Sequence, residues 1–381
     1  MKVAIVKERS PHEMRVAASV ETVKKMIALG LEVIVEKGAG IASAIRDEDY
    51  KNAGATLAKD FAVAVQKADI VLKVQHPLSS TEEEIDEVSL LPQEVTLIAM
   101  LAPYNTPEQF KNYASRKITA FSLELAPRIT RAQSMDVLSS QSNLAGYRAV
   151  IEASTLFGRV FPMMMTAAGT VPPARILILG AGVAGLQSIA TARRLGAIVS
   201  AFDVRVAAKE QVESLGATFI SVESEEKGEG TGGYAKEMSA DYQKRQAEKI
   251  HEAVQKSDIV ITTALIPGRP APRLVTDSMV RDMKEGSVIV DMAVEAGGNV
   301  EGSALAQVTE KHGVKICGYA NLPSRIARDA SALYARNIFN FLNLLWDKEQ
   351  KKLNINLEDD IIKATAITQK GKIIHPQFGP K

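Results

Sequence analysis

Short runs of apolar residues alternate along the chain with longer segments in which apolar residues recur every three or four positions. The runs predict strands and the segments between them predict helices, so the pattern indicates an α/β protein with mostly parallel sheets. There are two such series. The first reads VAIVKE, EVIVEKG, DIVLKV, VTLIAML and ITAFSLEL, and the second reads ARILILGAG, AIVSAFDV, ATFISV, DIVITTAL, SVIVDMAV and VKICGYA.

Two long helices are predicted on either side of the second series. One lies near Leu144–Phe161, and the other is the amphipathic segment DASALYARNIFNFLNLLWD. The chain beyond it alternates and contains the turn QKG, which predicts a small hairpin packed on the first domain. We therefore expect two Rossmann-like domains linked by the two long helices around a cleft. Residues 1–138 and 330–381 would form a discontinuous first domain, and residues 139–329 the dinucleotide-binding domain.

Composition narrows the class of protein. The chain has 381 residues, of which 46% are hydrophobic and 24% charged, and its net charge of +1 gives no sign of a nucleic-acid partner. No apolar run approaches the roughly 18 residues that span a bilayer, and the first residues lack a signal-peptide pattern. The single cysteine, Cys317, excludes an internal disulfide framework, and no His/Cys cluster has the spacing of a metal site.

The motif GAGVAG has the context of a dinucleotide-binding loop. It follows the strand RILIL, opens the helix LQSIATARRLG and fits G-x-G-x-x-G. Asp203 ends the next strand, where an acid binds the adenosine ribose and repels a 2′-phosphate, so we expect NAD(H) rather than NADP(H). Arg205 leaves NADP(H) open as an alternative cofactor. The predicted contacts are Gly180, Gly182, Val183, Ala184, Gly185, Asp203, Val204 and Arg205.

Two further strand ends are expected at the same edge of the sheet. TTALIPG and DMAVEAGGN follow the fourth and fifth strands of the second series, and we predict cofactor contacts from Ala264 and Leu265. Glu295 and Asn299 are either polar contacts or loop caps. The glycine-rich segment with Gly233 and Tyr234 is, from composition alone, either a functional lid or disordered.

The segment RITRAQSMDVLSSQSN, residues 128–143, is crowded with hydrogen-bonding groups but has no histidine, cysteine or lysine. Oxidation of an alcohol or an amine requires a base for the O–H or N–H proton. The best candidate elsewhere is His76, near Lys73 in LKVQHP. The two are either a carbonyl-binding pair or simply a strand end before Pro77.

Five stretches together resemble the NAD(H)-binding domain I of proton-translocating nicotinamide nucleotide transhydrogenase: PRITRAQSMDVLSSQSNLAGYRAV, FPMMMTAAGTVPPARILILGAGVAGLQ, GGYAKEM, TTALIPG and DMAVEAGGN. The resemblance implies that the nicotinamide carboxamide and ribose of NADH are held by Arg128, Gln133, Asp136 and Ser139. It also implies that Gln133 reaches towards the NADP(H) nucleotide, and that Gly233 and Tyr234 belong to a mobile loop that closes over NAD(H).

The resemblance further implies the reaction and the partners. The enzyme would be the proton-translocating NAD(P)+ transhydrogenase (Si-specific/Re-face type), in which hydride passes directly from NADH to NADP+. This chain would resemble the bacterial arrangement in which domain I is a separate alpha subunit. NADP(H) would be bound by a partner domain III, and protons would pass through a membrane domain II. The chain would form a homodimer on the cytoplasmic side of the bacterial inner membrane, attached through its partners.

Alanine dehydrogenase is the near relative and supplies the alternative function. In those enzymes an arginine and a lysine bind the keto acid, and a histidine at a strand end handles the proton. This chain keeps Arg15 and Lys73 but has Met100 where the histidine would be. Methionine cannot transfer a proton, so Arg15 and Lys73 are interpreted as fold-level remnants or structural ion pairs. A third possibility is a catalytically silent protein that senses NAD(H).

Overall fold

The computed structural model describes residues 1–79, 85–222, 228, 238–266 and 268–379. The chain divides into two compact units. Unit 1 comprises Met1–Gln141 and Ser324–Lys381, and unit 2 comprises Ser142–Pro323. Within the described ranges, no helix is both long enough and apolar enough to cross a membrane.

Strands and helices alternate through most of the chain. The strands are β1 (Lys2–Ile5), β2 (Glu32–Glu36), β3 (Thr56–Ala58), β4 (Ile70–Leu72), β5 (Thr96–Ala99), β6 (Thr119–Ser122), β7 (Met164–Thr166), β8 (Gly169–Val171), β9 (Arg175–Leu179), β10 (Ile198–Phe202), β11 (Thr218–Ile220), β12 (Ile259–Thr262), β13 (Val288–Asp291), β14 (Val308–Lys311), β15 (Val314–Cys317), β16 (Trp346–Asp347), β17 (Lys352–Leu353), β18 (Ala366–Gln369) and β19 (Lys372–Ile373).

The α-helices are α1 (Val20–Ala28), α2 (Asp47–Asn52), α3 (Phe61–Val65), α4 (Glu87–Leu90), α5 (Gln109–Ser115), α6 (Val137–Leu156), α7 (Val183–Arg194), α8 (Ala208–Ser214), α9 (Ala240–Gln255), α10 (Asp277–Arg281), α11 (Ala327–Leu345) and α12 (Asp360–Thr365). Short 3-10 helices cover Ile41–Ser43, Leu123–Leu125, Thr130–Met135, Val294–Ala296 and Leu322–Ile326.

Each unit contains one large sheet, and the two sheets repeat the same strand order. Six parallel strands of unit 1 run β3-β2-β1-β4-β5-β6, and the hairpin β18-β19 extends the β6 edge in antiparallel fashion. Six parallel strands of unit 2 run β11-β10-β9-β12-β13-β15, with β14 antiparallel at the edge. In both sheets the order reverses between the first and fourth strands, where ligands bind beyond the carboxyl ends. The predicted fold class, α/β with two Rossmann-like sheets, is confirmed.

Both faces of each sheet are covered by helices. In β9, Ile176 and Ile178 pack in one core with residues of α6 and α7, while Leu177 and Leu179 pack in another with residues of α9 and α10. A parallel strand that is buried on both faces reads as an unbroken apolar run. This burial explains why the strand runs were visible in the sequence.

Some elements were not predicted. Strand β3 has only three residues, and β14 alternates between exposed and half-buried positions, so neither forms an apolar run. The hairpin β7-β8 was also missed, since all of its residues are exposed. Helix α6 begins before the predicted Leu144, because the Asp136 carboxylate accepts a hydrogen bond from the Ser139 N–H at 2.8 Å and caps the helix.

Gly146 of α6 provides a test of the close contact between α6 and α7 in unit 2. A side chain there would overlap the backbone carbonyl of Ala184 in α7. We expect Gly146→Ala to cost about 2 kcal/mol through overpacking and to lower the midpoint of thermal unfolding, followed by circular dichroism, by about 4–8 °C. Gly158→Ala is the control, because nothing lies within 4 Å of its added methyl group. Equal midpoints for both variants would contradict the close contact.

Candidate functional site

The loop between β9 and α7 leaves open space in front of a helix N-terminus. Gly180 has φ of +106°, which favours glycine, and a side chain on Gly185 would overlap the Gly180 carbonyl oxygen. Around Gly182, by contrast, nothing lies within 4 Å of a Cβ position. Val183 and Ala184, the first residues of α7, are partly exposed. The N–H groups and positive dipole end of such a helix suit a phosphate group.

Asp203 lies directly beside this loop and is held by it. One carboxylate oxygen accepts from the Ala181 N–H at 2.7 Å and from an Arg205 guanidinium nitrogen at 2.8 Å. The other oxygen accepts from the backbone N–H and Nε of Arg205 at 2.8 and 2.9 Å. Since a carboxylate offers about four acceptor positions, all are used. A hydroxyl that binds Asp203 must therefore share or displace one of these bonds.

Asn299 fixes the loop that contains Ala264. Its Nδ2 donates to the carbonyls of Ala264 and Pro272 at 2.9 and 2.8 Å, and its Oδ1 accepts from the Ala264 N–H at 3.1 Å. The Asn299 side chain is fully buried. Of the two roles open from the sequence, the geometry favours a cap. Asn299 thus fixes the backbone next to Leu265, whose side chain is exposed.

A buried carboxylate held by N–H and O–H donors secures the base of the same loops. Asp291 at the end of β13 is fully buried and accepts hydrogen bonds from Thr262 Oγ1 and from the N–H groups of Ala293, Asn299 and Val300. Hydrogen bonds from backbone N–H groups satisfy a buried carboxylate. The ends of β12 and β13 are therefore held in a fixed relation.

The remaining predicted residues of unit 2 are placed as follows. Glu295 is exposed and accepts a hydrogen bond from the Asn321 N–H at 3.1 Å. Val204 is half-buried, and a side chain on Gly228 would overlap its carbonyl. Gly233 and Tyr234 lie outside the described residues.

The polar segment of unit 1 forms a 3-10 helix, Thr130–Met135. Ala132 and Met135 are buried, whereas Gln133 is exposed. Residues three apart eclipse each other in a 3-10 helix, so Gln133 and Asp136 share a side. The Gln133 side chain makes no hydrogen bond to any residue that the structure describes.

Asp136 and Ser139 are bonded to each other. Ser139 Oγ donates to one Asp136 carboxylate oxygen at 2.5 Å, and the Ser139 N–H donates to the other at 2.8 Å. Arg131 forms an ion pair with Asp359 at 2.6 Å, and Arg128 is exposed at the start of the segment. The four predicted nicotinamide contacts thus lie on one short stretch with a fixed backbone.

Two family models cover nearly the whole chain. The model described as "Alanine dehydrogenase/PNT, N-terminal domain" matches residues 4–145, and "Alanine dehydrogenase/PNT, C-terminal domain" matches residues 149–376. The chain belongs to the alanine dehydrogenase/PNT family. The resemblance inferred from the motifs is confirmed.

Three relatives show where the chain stands within the alanine dehydrogenase/PNT family. An NAD(P) transhydrogenase alpha subunit polypeptide of Rhodospirillum rubrum is 56% identical over 378 residues, which are 99% of this chain and 98% of that protein. A transhydrogenase structure from Sinorhizobium meliloti is 52% identical with a TM-score of 0.88, covering 98% and 100% of the two chains. Alanine dehydrogenase of Methanococcus maripaludis is 30% identical, covering 87% and 83%. The chain is thus nearer to these transhydrogenase proteins than to that alanine dehydrogenase.

Arg15 and Lys73, the two residues that the resemblance relates to keto-acid binding, are both buried in ion pairs of unit 1. Arg15 lies 2.6 Å from Glu13, while Lys73 lies 3.3 Å from Glu8 and 3.0 Å from Glu87. All five side chains are 3% exposed or less. Of the interpretations made from sequence, this geometry fits structural ion pairs.

Burial and neighbouring charges shift the pKa values of these groups in different directions. Burial raises the pKa of Glu8 to about 7, although Lys73 opposes the shift. Burial acts to lower the pKa of Lys73, but Glu8 and Glu87 outweigh it and the pKa is raised. Burial would raise the pKa of Glu13, but the charge and hydrogen bonds of Arg15 lower it to about 2. Burial thus places the pKa of Glu8 near neutral pH.

Met100 has no group that transfers a proton, and His76 contacts a backbone carbonyl. Met100 follows β5, is 9% exposed and donates its N–H to the Val74 carbonyl. His76 is half-buried, with Nδ1 3.3 Å from the Pro77 carbonyl. Lys73 is engaged by its two glutamates instead, so the geometry favours a strand end over a carbonyl-binding pair.

The raised pKa of Glu8 predicts a pH-dependent stability. Since folded Glu8 binds its proton more tightly than in the unfolded chain, the free energy of unfolding should fall as pH rises from about 4.5 through about 7. The fall should be about 3 kcal/mol. In denaturant titrations at several pH values, the Glu8→Gln variant should not show this fall in the free energy of unfolding. Glu32→Gln, at a glutamate with a 69% exposed side chain, is the control; equal pH slopes in the wild type and Glu8→Gln would contradict the prediction.

Proposed function

We propose that the chain is the NAD(H)-binding subunit of a proton-translocating NAD(P)+ transhydrogenase of the Si-specific/Re-face type. When both nucleotides are bound, hydride passes from C4 of NADH to C4 of NADP+ held on a partner domain III. The observation that carries the proposal is Gln133, an exposed amide without a hydrogen bond among the described residues, on a backbone fixed from both sides. The identity to transhydrogenase proteins supports it.

Such a reaction explains the chemistry of the polar segment. Hydride transfer between two nicotinamides makes and breaks no O–H or N–H bond at the reacting centre, so no general acid is required. It requires two rings held about 3–3.5 Å apart in a fixed orientation. Amide, hydroxyl and guanidinium groups on a rigid backbone provide this positioning. A histidine, cysteine or lysine is not needed, and residues 128–143 contain none.

We assign the pyrophosphate and the adenosine ribose of NAD(H) to groups of unit 2. The pyrophosphate lies at the N-terminus of α7 beside Gly182, where the structure leaves open space, and the adenosine ribose lies at Asp203. Arg205 partly compensates the Asp203 charge through its hydrogen bonds to both carboxylate oxygens, so selectivity against a 2′-phosphate depends on the pair. The further contacts are Val183, Ala184, Val204, Gly233, Tyr234, Ala264 and Leu265.

The nicotinamide and its ribose are assigned to Arg128, Gln133, Asp136 and Ser139. Asp136 accepts from Ser139 and caps α6, so the two side chains present a preformed acceptor and hydroxyl. Gln133, on the same side of the 3-10 helix as Asp136, extends towards the partner nucleotide. These four residues hold and orient; none transfers a proton.

The proposed complex includes a domain III that binds NADP(H) and a membrane domain II that conducts protons. The chain would be peripheral on the cytoplasmic side of the bacterial inner membrane through these partners.

The chain would also pair with a second copy of itself. The hairpin β7-β8 supports pairing, because it is isolated from both large sheets and exposes Met163, Met164 and Met165, the last by 79%. A lone two-stranded hairpin is marginally stable, and its edges can bind another strand.

The homodimer is tested by mass in solution. Light scattering after gel filtration should give about twice 41.1 kDa. Met165→Asp should shift the population towards monomer, because it places a charge on the exposed apolar hairpin. Leu305→Asp, at an apolar residue of unit 2 that is 53% exposed, should leave the mass unchanged. A monomeric wild type, or equal behaviour of the two variants, would remove this role of the hairpin.

The function is tested with the purified chain alone and with a domain III protein that carries NADP+. Calorimetry should show at least about tenfold tighter binding of NADH than of NADPH, because a 2′-phosphate meets Asp203. Because NADH and NADPH absorb at the same wavelength, domain III is loaded for this assay with an NADP+ analogue whose reduced form absorbs elsewhere. Stopped-flow absorbance should then show hydride transfer only when domain III is present. Oxidation of NADH with pyruvate and ammonia by the chain alone would instead support an alanine dehydrogenase. Binding of NADH without either activity would support a sensing protein.

A further inference from the structure

Two asparagines of α11 hold the backbone next to Gln133. Asn337 Nδ2 donates to the Ser134 carbonyl at 2.9 Å, and Asn340 Nδ2 donates to the same oxygen at 3.1 Å. Asn337 and Asn340 lie about one helical turn apart on α11, so both reach one acceptor. The carbonyl of Ser134 is thus fixed by two donors that are distant in sequence.

Ser140 fixes the orientation of the buried asparagine. Ser140 Oγ donates to Asn337 Oδ1 at 2.7 Å. Because the amide oxygen is engaged by a donor, the amide nitrogen faces the Ser134 carbonyl. Asn337 is 7% exposed, whereas Asn340 is partly exposed. The clamp, defined as Asn337 and Asn340, therefore has one buried member and one near the surface.

The other contacts of the 3-10 helix lie on both sides of Gln133. Arg131 is held by Asp359 at 2.6 Å, and Ala132 and Met135 are buried in the unit 1 core. These contacts fix the Cα position of Gln133. The Ser134 carbonyl belongs to the peptide between Ser134 and Met135, one residue beyond Gln133, and the clamp holds this peptide through its two side-chain amides.

We propose that Asn337 and Asn340 are positioning residues for hydride transfer, which act by holding the Ser134 carbonyl and thereby aiming Gln133. The inference rests on the proposed function. Neither asparagine touches the nucleotide in this proposal. A displacement of about 1 Å in a positioning group can cost about a hundredfold in rate, so loss of the clamp should affect the rate of transfer and leave NADH affinity nearly unchanged.

The test compares Asn337→Ala, Asn340→Ala and the double variant with Asn343→Ala. Asn343 is an exposed asparagine on the same helix and serves as the matched control. In single-turnover mixing with domain III, each single variant should be about 3- to 10-fold slower, as expected for the loss of one hydrogen bond. NADH affinity by calorimetry should change less than about twofold. Because Asn340 lies near the surface, Asn340→Ala should fold and can be measured even if Asn337→Ala does not fold.

A second readout separates positioning from general loss of structure. If the asparagines act through Gln133, Asn340→Ala should slow transfer much less in a Gln133→Asn background than in the wild type. Equal slowing in both backgrounds would overturn the proposal. So would wild-type transfer rates in the double variant Asn337→Ala/Asn340→Ala.

Amide hydrogen exchange tests, independently of transhydrogenase activity, whether the clamp holds the backbone around Gln133. Peptides covering residues 128–139 should exchange at least about tenfold faster in the double variant, with no change in peptides covering β9 of unit 2. Unchanged exchange in residues 128–139 would overturn the clamp even if the wild type transfers hydride. If the wild type transfers none with domain III, the proposed function fails. Faster exchange would then still support the clamp.

Discussion

The arrangement of functional groups depends on one constraint, the burial of both faces of two parallel sheets. Strands covered by helices on both sides carry almost only apolar side chains, as in β9. Polar and charged groups are therefore concentrated beyond the carboxyl ends of the strands. Gly180, Asp203 and Asp291 in unit 2, and Glu8 and Lys73 in unit 1, all occupy such positions.

The two units use equivalent positions of the same topology in opposite ways. Where the strand order of unit 2 reverses, a glycine loop and a helix N-terminus leave open space. At the corresponding reversal in unit 1, between β1 and β4, Glu8 and Lys73 meet in a buried ion pair with Glu87. One crevice keeps backbone N–H groups available for an anion, and the other satisfies its charges internally. The shared strand order alone thus does not determine where a ligand binds.

The sequence predicted those features that depend on local pattern. Apolar runs predicted both sheets, and the glycine motif predicted the loop before α7 and the position of Asp203. The short strand β3 and the exposed hairpin β7-β8 were missed because they bury too few side chains to leave a pattern. The hydrogen bonds of Asn299 to Ala264 and of Asn337 to Ser134 join residues far apart in sequence. No local pattern marks such partners, so the sequence left Asn299 ambiguous and gave no reason to select Asn337.

The discontinuous build of unit 1 has a consequence for the order of folding. Its core contains Tyr334, Ile338 and Phe341 of α11, and they pack with strand residues from the N-terminal segment of the unit. Unit 2 lies between these two segments in the chain and has cores composed only of its own residues. Since domains fold as units during synthesis, unit 2 can complete its core on the ribosome first. The face of the β1–β6 sheet that packs with α11 must then wait, incompletely covered, until α11 has been made.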